Sequence, residues 1–314
     1  MTQTPSISAH MSLGQWAMLL VIALFWGGAF FFVSVAVREM PPMTLGAVRI
    51  LVGGFVLLAI LHMTGGRLPW RADVWRWFFI VALVNSVAPL FLLSWAQKSI
   101  GGGLASIITA MTPLMVLFVA HFMTTDEKLS GRRLLGTLTG FGGVVVMIGL
   151  DAKVQIGLST AAQLAAVLAS LCFAFGTVLA RRFRALEIPP LTASTGFILM
   201  SGLQFLVLAL LIDSPWTLPM PGPAALSSAI AAGFLSTALG QFLFFRLLTH
   251  TGANNVSLVA VLTPISAILL GWLILGEQLR SYQIAGMAII ATGIIIVDGR
   301  LFSSRKVKQS GEAA

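Results

Sequence analysis

Trp95-Ala96-Gln97-Lys98-Ser99-Ile100-Gly101 and Arg246-Leu247-Leu248-Thr249-His250-Thr251-Gly252 occupy the same place in two hydrophobic stretches about 150 positions apart. The residues downstream of them stay in step. Pro113 recurs at Pro264, Asp126-Glu127-Lys128-Leu129 returns as Gly276-Glu277-Gln278-Leu279, and Gly136 and Gly143 answer to Gly286 and Gly293. Several matches in one order, with a single residue of slippage, mark a chain built of two related halves.

Composition places both halves in a membrane. Hydrophobic residues make up 58% of the 314, charged residues only 9%, and the mean hydropathy is +0.97. A hydrocarbon core about 30 Å thick is crossed by a helix of about 20 apolar residues. Ten such segments are predicted, near 14–37, 43–64, 74–97, 103–124, 133–150, 157–180, 190–212, 224–248, 253–275 and 281–299. The runs are continuous and lack strand alternation, which excludes a closed barrel and leaves helices. The chain thus divides into a tail (1–13), a first five-helix repeat (14–150), a second (157–299) and a basic tail (300–314). The expected fold is all-α and integral to the membrane, and no signal peptide is read at the start.

Lys and Arg set the orientation, because basic loops resist translocation. With the N-terminus inside, the inner segments carry Arg67, Arg71, Arg76, Lys128, Arg132, Arg133, Arg181, Arg182, Arg184, Arg300, Arg305, Lys306 and Lys308, against Arg38, Lys98, Lys153 and Arg280 outside. Both termini are expected in the cytoplasm, and the net charge of +9 is a topology signal rather than a sign of nucleic-acid binding. Five spans per half is odd, so the second half enters the membrane the other way up. Inverted repeats place a binding site between the halves, and rocking of one half against the other opens it to either side in turn.

The same residues carry a family resemblance. The helix ending at Trp95-Ala96, the glycine-containing turn, the Pro-bearing helix, the Glu-containing turn and the Gly-rich last helix, present twice, resemble the EamA-type repeat of the drug/metabolite transporter superfamily. Leu24-Phe25-Trp26-Gly27-Gly28-Ala29-Phe30 is similar to that family's opening Trp-Gly motif, and Phe173-Ala174-Phe175-Gly176 is its degenerate counterpart. In size and aromatic content the chain resembles the ten-span amino-acid exporters of the YddG type. The resemblance implies a ten-helix basket, a central cavity lined by helices 1, 3, 4, 6, 8 and 9, and export of small metabolites across a bacterial inner membrane.

Candidate functional residues follow from what is rare inside a membrane. All ten acidic residues fall at span ends, loops or tails, so no intramembrane carboxylate is available for cationic drugs. Arg49, about two turns inside helix 2, either snorkels or meets a substrate carboxylate or helix carbonyls. Among uncharged polar residues, Asn85, Gln163 and Gln241 fall on helices that the resemblance assigns to the cavity, with Thr109 beside Pro113 and with Trp26, Trp95, Phe173 and Phe245 as aromatic company. An apolar pocket holding a few amides suits a neutral or zwitterionic solute. Each of these also has a plain reading, as a helix-to-helix hydrogen bond or a lipid contact. Pro113 and Pro264 are expected to kink their helices, as gates or as fixed packing features.

Glycines on helices 5 and 10 predict a packing seam between them and hence a monomer, in contact with its substrate and membrane lipid. The lone Cys172, four scattered histidines and the lack of a phosphate loop or grouped nucleophile leave no cofactor, metal or enzyme signature. The expectation is an exporter of neutral or aromatic amino acids. Drugs, nucleobases or sugars are the alternative substrates, and a membrane scaffold or intramembrane enzyme the alternative class.

Overall fold

Few positions in this chain can leave a backbone group unpaired in lipid, and every described element of regular structure is a helix. The computed structural model describes residues 11–124, 131–149, 158–256 and 258–298. Both expected tails beyond those limits, the Asp126-Glu127-Lys128-Leu129 turn and Lys153 lie outside the described residues. Helix α1 is Leu13–Ala36 and α2 is Pro42–Met63. Helix α3 (Ala72–Ala96) winds as a π-helix over Leu83–Val87, and α4 (Gly102–Met123) breaks between Thr109 and Thr112. Next come α5 (Gly131–Gly149), α6 (Leu158–Ala185) and α7 (Pro190–Asp213), the last turn of α7 being π-helical. Helix α8 runs from Pro223–Ala231 through a π-helical Ala232–Leu239 into Gly240–Val256, followed by α9 (Leu258–Leu275) and α10 (Ser281–Asp298).

Eight of these helices are long and apolar enough to cross a membrane, whereas the apolar parts of α5 and α10, Leu134–Val146 and Ser281–Val297, are shorter. Two ends differ from the expected ones. Helix α6 continues past 180 to Ala185, so Arg181, Arg182 and Arg184 belong to its last turns and not to a loop. Cations suit a helix C-terminus, and Arg182 also lies 5.7 Å from the centre of the Trp77 ring. Helix α8 continues to Val256, so Arg246–Gly252 is helical, although its counterpart leaves the helix after Ala96. Three successive glycines, Gly101 to Gly103, follow the first stretch and a lone Gly252 ends the second, and glycine is the poorer helix former.

Packing joins the two halves at nearly every helix. Helix α1 packs on α8 and α9, α6 on α3 and α4, α2 on α7 and on the π-helical part of α8, α7 on α3, and α5 on α10. Exchanging α1–α5 for α6–α10 returns the same set of pairs. Glycines permit the closest contacts. A Cβ on Gly136 would stand 2.7 Å from the Gly293 carbonyl oxygen, and one on Gly143 the same distance from that of Gly286. The glycines of α5 and α10 therefore form the predicted seam inside the chain. The outward surface is apolar, as at Leu20, Leu24, Phe55, Phe122 and Leu211, which is what lipid contact requires.

Helix starts are closed by acceptors from elsewhere. Ser12 and Gln15 form a reciprocal capping box on α1. Glu277 accepts from Gly102 N at 2.9 Å and Gly103 N at 3.0 Å, satisfying the first turn of α4. Asp213 accepts from Thr44 N and Oγ1 at 2.7 and 2.8 Å on α2, and Glu39 accepts from Gly222 N at 2.6 Å at the start of α8. Gly276, at φ 68°, turns the chain so that Glu277 reaches a niche where side chains on Gly101 or Gly271 would collide with it. Replacing Glu277 by Ala strands two N–H groups, and a loss of about 1–3 kcal/mol of stability is expected, read as a lower melting temperature of the detergent-purified protein.

Candidate functional site

Two π-helical segments, Leu83–Val87 in α3 and Ala232–Leu239 in α8, fall at corresponding positions of the two halves. Such segments are rare and concentrate at functional sites, because the extra residue per turn redirects side chains and backbone groups. Around them the predicted polar residues divide into those with partners and those without.

Asn85 lies within the first π-helical segment, half-buried, and makes no hydrogen bond among the described residues. A side chain at Gly176 of α6 would collide with it, so glycine is what lets α6 approach at this level. Gln241 sits one turn beyond Thr237 on α8, half-buried and likewise without a hydrogen bond among the described residues. Beside it, Trp26 of α1 stacks on Phe244 at 5.1 Å, and a Cβ on Gly240 would stand 2.7 Å from the indole Nε1. Phe245 meets Phe244 edge-on at 5.6 Å. Trp26 and Phe244 therefore meet on the α1–α8 contact, where Ser236 also donates to the Phe25 carbonyl oxygen, and Gln241 and Phe245 are their neighbours along α8.

Other candidates stand apart from this group. Gln163 is buried near the start of α6, where its Nε2 donates to Ser159 Oγ at 3.4 Å and its Oε1 has no partner. Trp95 is 37% exposed at the very end of α3. Phe173 packs against the core formed by α4 and α6. Thr109 Oγ1 donates to the Ala105 carbonyl at 2.7 Å, at the break in α4. That break and Pro113 explain each other: Pro113 has no N–H for the Thr109 carbonyl, and the Thr112 hydroxyl donates its O–H there instead, at 2.6 Å. Pro264 instead sits inside a continuous α9, buried. The matched prolines thus act differently, one at a break and one within an unbroken helix.

A further polar group lies on the α2–α8 contact. Arg49 Nε donates to Thr237 Oγ1 at 3.4 Å, and the Arg49 backbone carbonyl is so close to α8 that a side chain on Gly233 would collide with it. From α2, a Cβ on Gly53 would stand 2.6 Å from Thr237. Thr237 has no counterpart among the residues singled out from sequence, because a π-helical segment leaves no periodic signature and a threonine in a helix attracts no notice. The cap-forming roles of Glu39, Asp213 and Glu277 were equally silent, since each joins residues far apart in the chain.

The EamA-like transporter family matches this chain twice, over residues 15–149 and 160–297, and the chain belongs to that family. An uncharacterized transporter of Synechocystis, sll0355, is 30% identical over 305 residues, spanning 90% of this chain and 89% of its own length. The uncharacterized transporter YoaV of Bacillus subtilis is 23% identical, spanning 92% and 98%. A solved crystal structure, 19% identical, superposes with a TM-score of 0.64 over 90% of this chain and 98% of that one, which establishes likeness of fold. Helices, composition and relatives together make this a multi-pass membrane transporter.

Because the Asn85 and Gln241 amides have no hydrogen bond to lose, Asn85→Ala and Gln241→Ala are each expected to change stability by less than about 0.5 kcal/mol. Gly176→Val, which must force α6 away from Asn85, is expected to lower the melting temperature clearly. Thermal unfolding of the three purified variants in one detergent checks the ranking.

Proposed function

We propose that this transporter exports small amphiphilic metabolites, neutral or aromatic amino acids first, by alternating access between two inverted five-helix repeats. The observation that carries the reading is the pair of half-buried amides without hydrogen bonds, Asn85 and Gln241, at or beside matched π-helical segments. A polar group left open inside a membrane protein costs free energy unless something else satisfies it, and a passing solute is such a partner. Apolar walls with a few amides suit a molecule that has an apolar side chain and a compact polar head.

Helix packing that survives exchange of the halves supports the inverted arrangement, in which α5 and α10 also cross the bilayer. The cavity lies among α1, α3, α4, α6, α8 and α9, with Trp26, Asn85, Gln241 and Phe245 as its nearest residues. Thr109, Gln163, Trp95 and Phe173 are proposed along the route to it, and Pro113 and Pro264 as the flexing points of α4 and α9. The protein works as a monomer, because its glycine faces are used within the chain. The bacterial inner membrane, with both termini cytoplasmic, agrees with the distribution of Lys and Arg and with helical rather than barrel spans.

Purified protein in liposomes, preloaded and challenged with labelled neutral, aromatic and charged amino acids, a nucleobase and a sugar, tests the proposal by counterflow. Saturable exchange of neutral or aromatic amino acids is the expected result. Exchange confined to the nucleobase or sugar refutes the substrate, and silence across the panel in folded protein refutes transport of these solutes. Pro113→Ala and Pro264→Ala are expected to slow turnover several-fold while leaving half-saturation nearly unchanged, as measured in the same vesicles.

A further inference from the structure

We infer that Arg49 is the anchor for a carboxylate on the transported solute, so that substrates of this protein carry one anionic head beside an apolar body. The inference rests on the transport reading above and adds to it the charge the substrate must have. Arg49 lies about two turns inside α2, half-buried where that helix meets α8. A guanidinium has five N–H donors. Among the described residues only Nε finds an acceptor, Thr237 Oγ1, at a long 3.4 Å. The one ion pair among those residues, Arg71 with Asp73, is exposed at the start of α3, so no carboxylate of the described protein neutralises Arg49.

Packing does not require the charge. The equivalent crossing in the other half, α7 over α3, is joined by a neutral amide, with Gln204 Nε2 donating to the Phe79 carbonyl at 3.0 Å. What the charge does offer is a fork. With Nε turned to Thr237, the two terminal nitrogens present parallel donors suited to both oxygens of one carboxylate. Close approach of α2 and α8 at Gly53 and Gly233 sets the Arg49 backbone and Thr237 against each other, and Gln241, one turn along from Thr237, offers an amide to the rest of the polar head. The apolar body is left to Trp26 and Phe244 beside it.

Four probes that share a phenyl body separate the charges: phenylalanine, phenylalaninamide, 3-phenylpropionate and phenethylamine. Thermal stabilisation of the purified protein by each reports binding without any need for transport. Phenylalanine and 3-phenylpropionate are expected to stabilise the wild type at concentrations about 10- to 100-fold lower than the two probes without a carboxylate. Arg49→Gln is expected to erase that difference and Arg49→Lys to keep part of it. Equal stabilisation by all four probes in the wild type overturns the inference, as does a folded Arg49→Gln protein that retains the carboxylate preference. If neither variant folds, the wild-type comparison decides alone. Carboxylate binding without counterflow would refute the transport reading and leave the anion site standing, and counterflow indifferent to the carboxylate would do the reverse.

Discussion

Inside hydrocarbon an amide that lacks a partner within the protein has none at all, and the architecture follows from meeting that demand. Helices meet it along their length and fail at their ends and at prolines. The chain repairs several of these failures with side chains. Thr112 replaces the N–H that Pro113 lacks, and Glu277, Asp213 and Glu39 close the starts of α4, α2 and α8. A carboxylate at a helix start is favoured twice, as acceptor for free N–H groups and as a negative charge at the positive end of the helix dipole. That accounts for how a chain with ten acidic residues uses three of them without placing one at mid-span.

Against that background, an open polar group is informative. Many Ser and Thr side chains elsewhere find carbonyls, as Thr195 does with Leu191 and Ser201 with Phe197, whereas Ser194 Oγ and Gln163 Oε1 do not. Asn85, Gln241 and most of Arg49 do not either, and they sit in or against the π-helical segments of α3 and α8. Glycine is what makes these places possible. Gly176 brings α6 against the Asn85 side chain, and Gly233 and Gly53 bring α2 and α8 together at Arg49 and Thr237.

Much of the fold was legible because it rests on local signals. Apolar run length marked the helices to within a few residues, and the spacing of Gly136 and Gly143 against Gly286 and Gly293 announced the α5–α10 seam. Helix ends governed by competing tendencies were less legible, as where α8 runs through Arg246–Gly252 while its counterpart stops at Ala96. At the site, the amides were legible as residue types out of place. Which of them lacked partners was not, because the partner of Gln163 lies on its own helix and that of Gln204 on another. Thr237 became relevant only through Arg49, 188 residues earlier in the chain.

The three carboxylate caps differ from the glycine seam in what they permit. Glu39 and Gly222, Asp213 and Thr44, and Glu277 and Gly102 each join one half to the other. Each is a bond to backbone at the start of a helix, and losing one costs about 1–3 kcal/mol, the lower end applying where water takes over the N–H. The α5–α10 contact is backbone against backbone through glycine, so any sliding there meets atoms at once. Relative motion of the halves is therefore least costly where the caps are and most costly along α5 and α10. The polar groups around Arg49 lie about two turns in from the capped start of α2, so breaking Asp213 from Thr44 frees the same helix that holds the guanidinium.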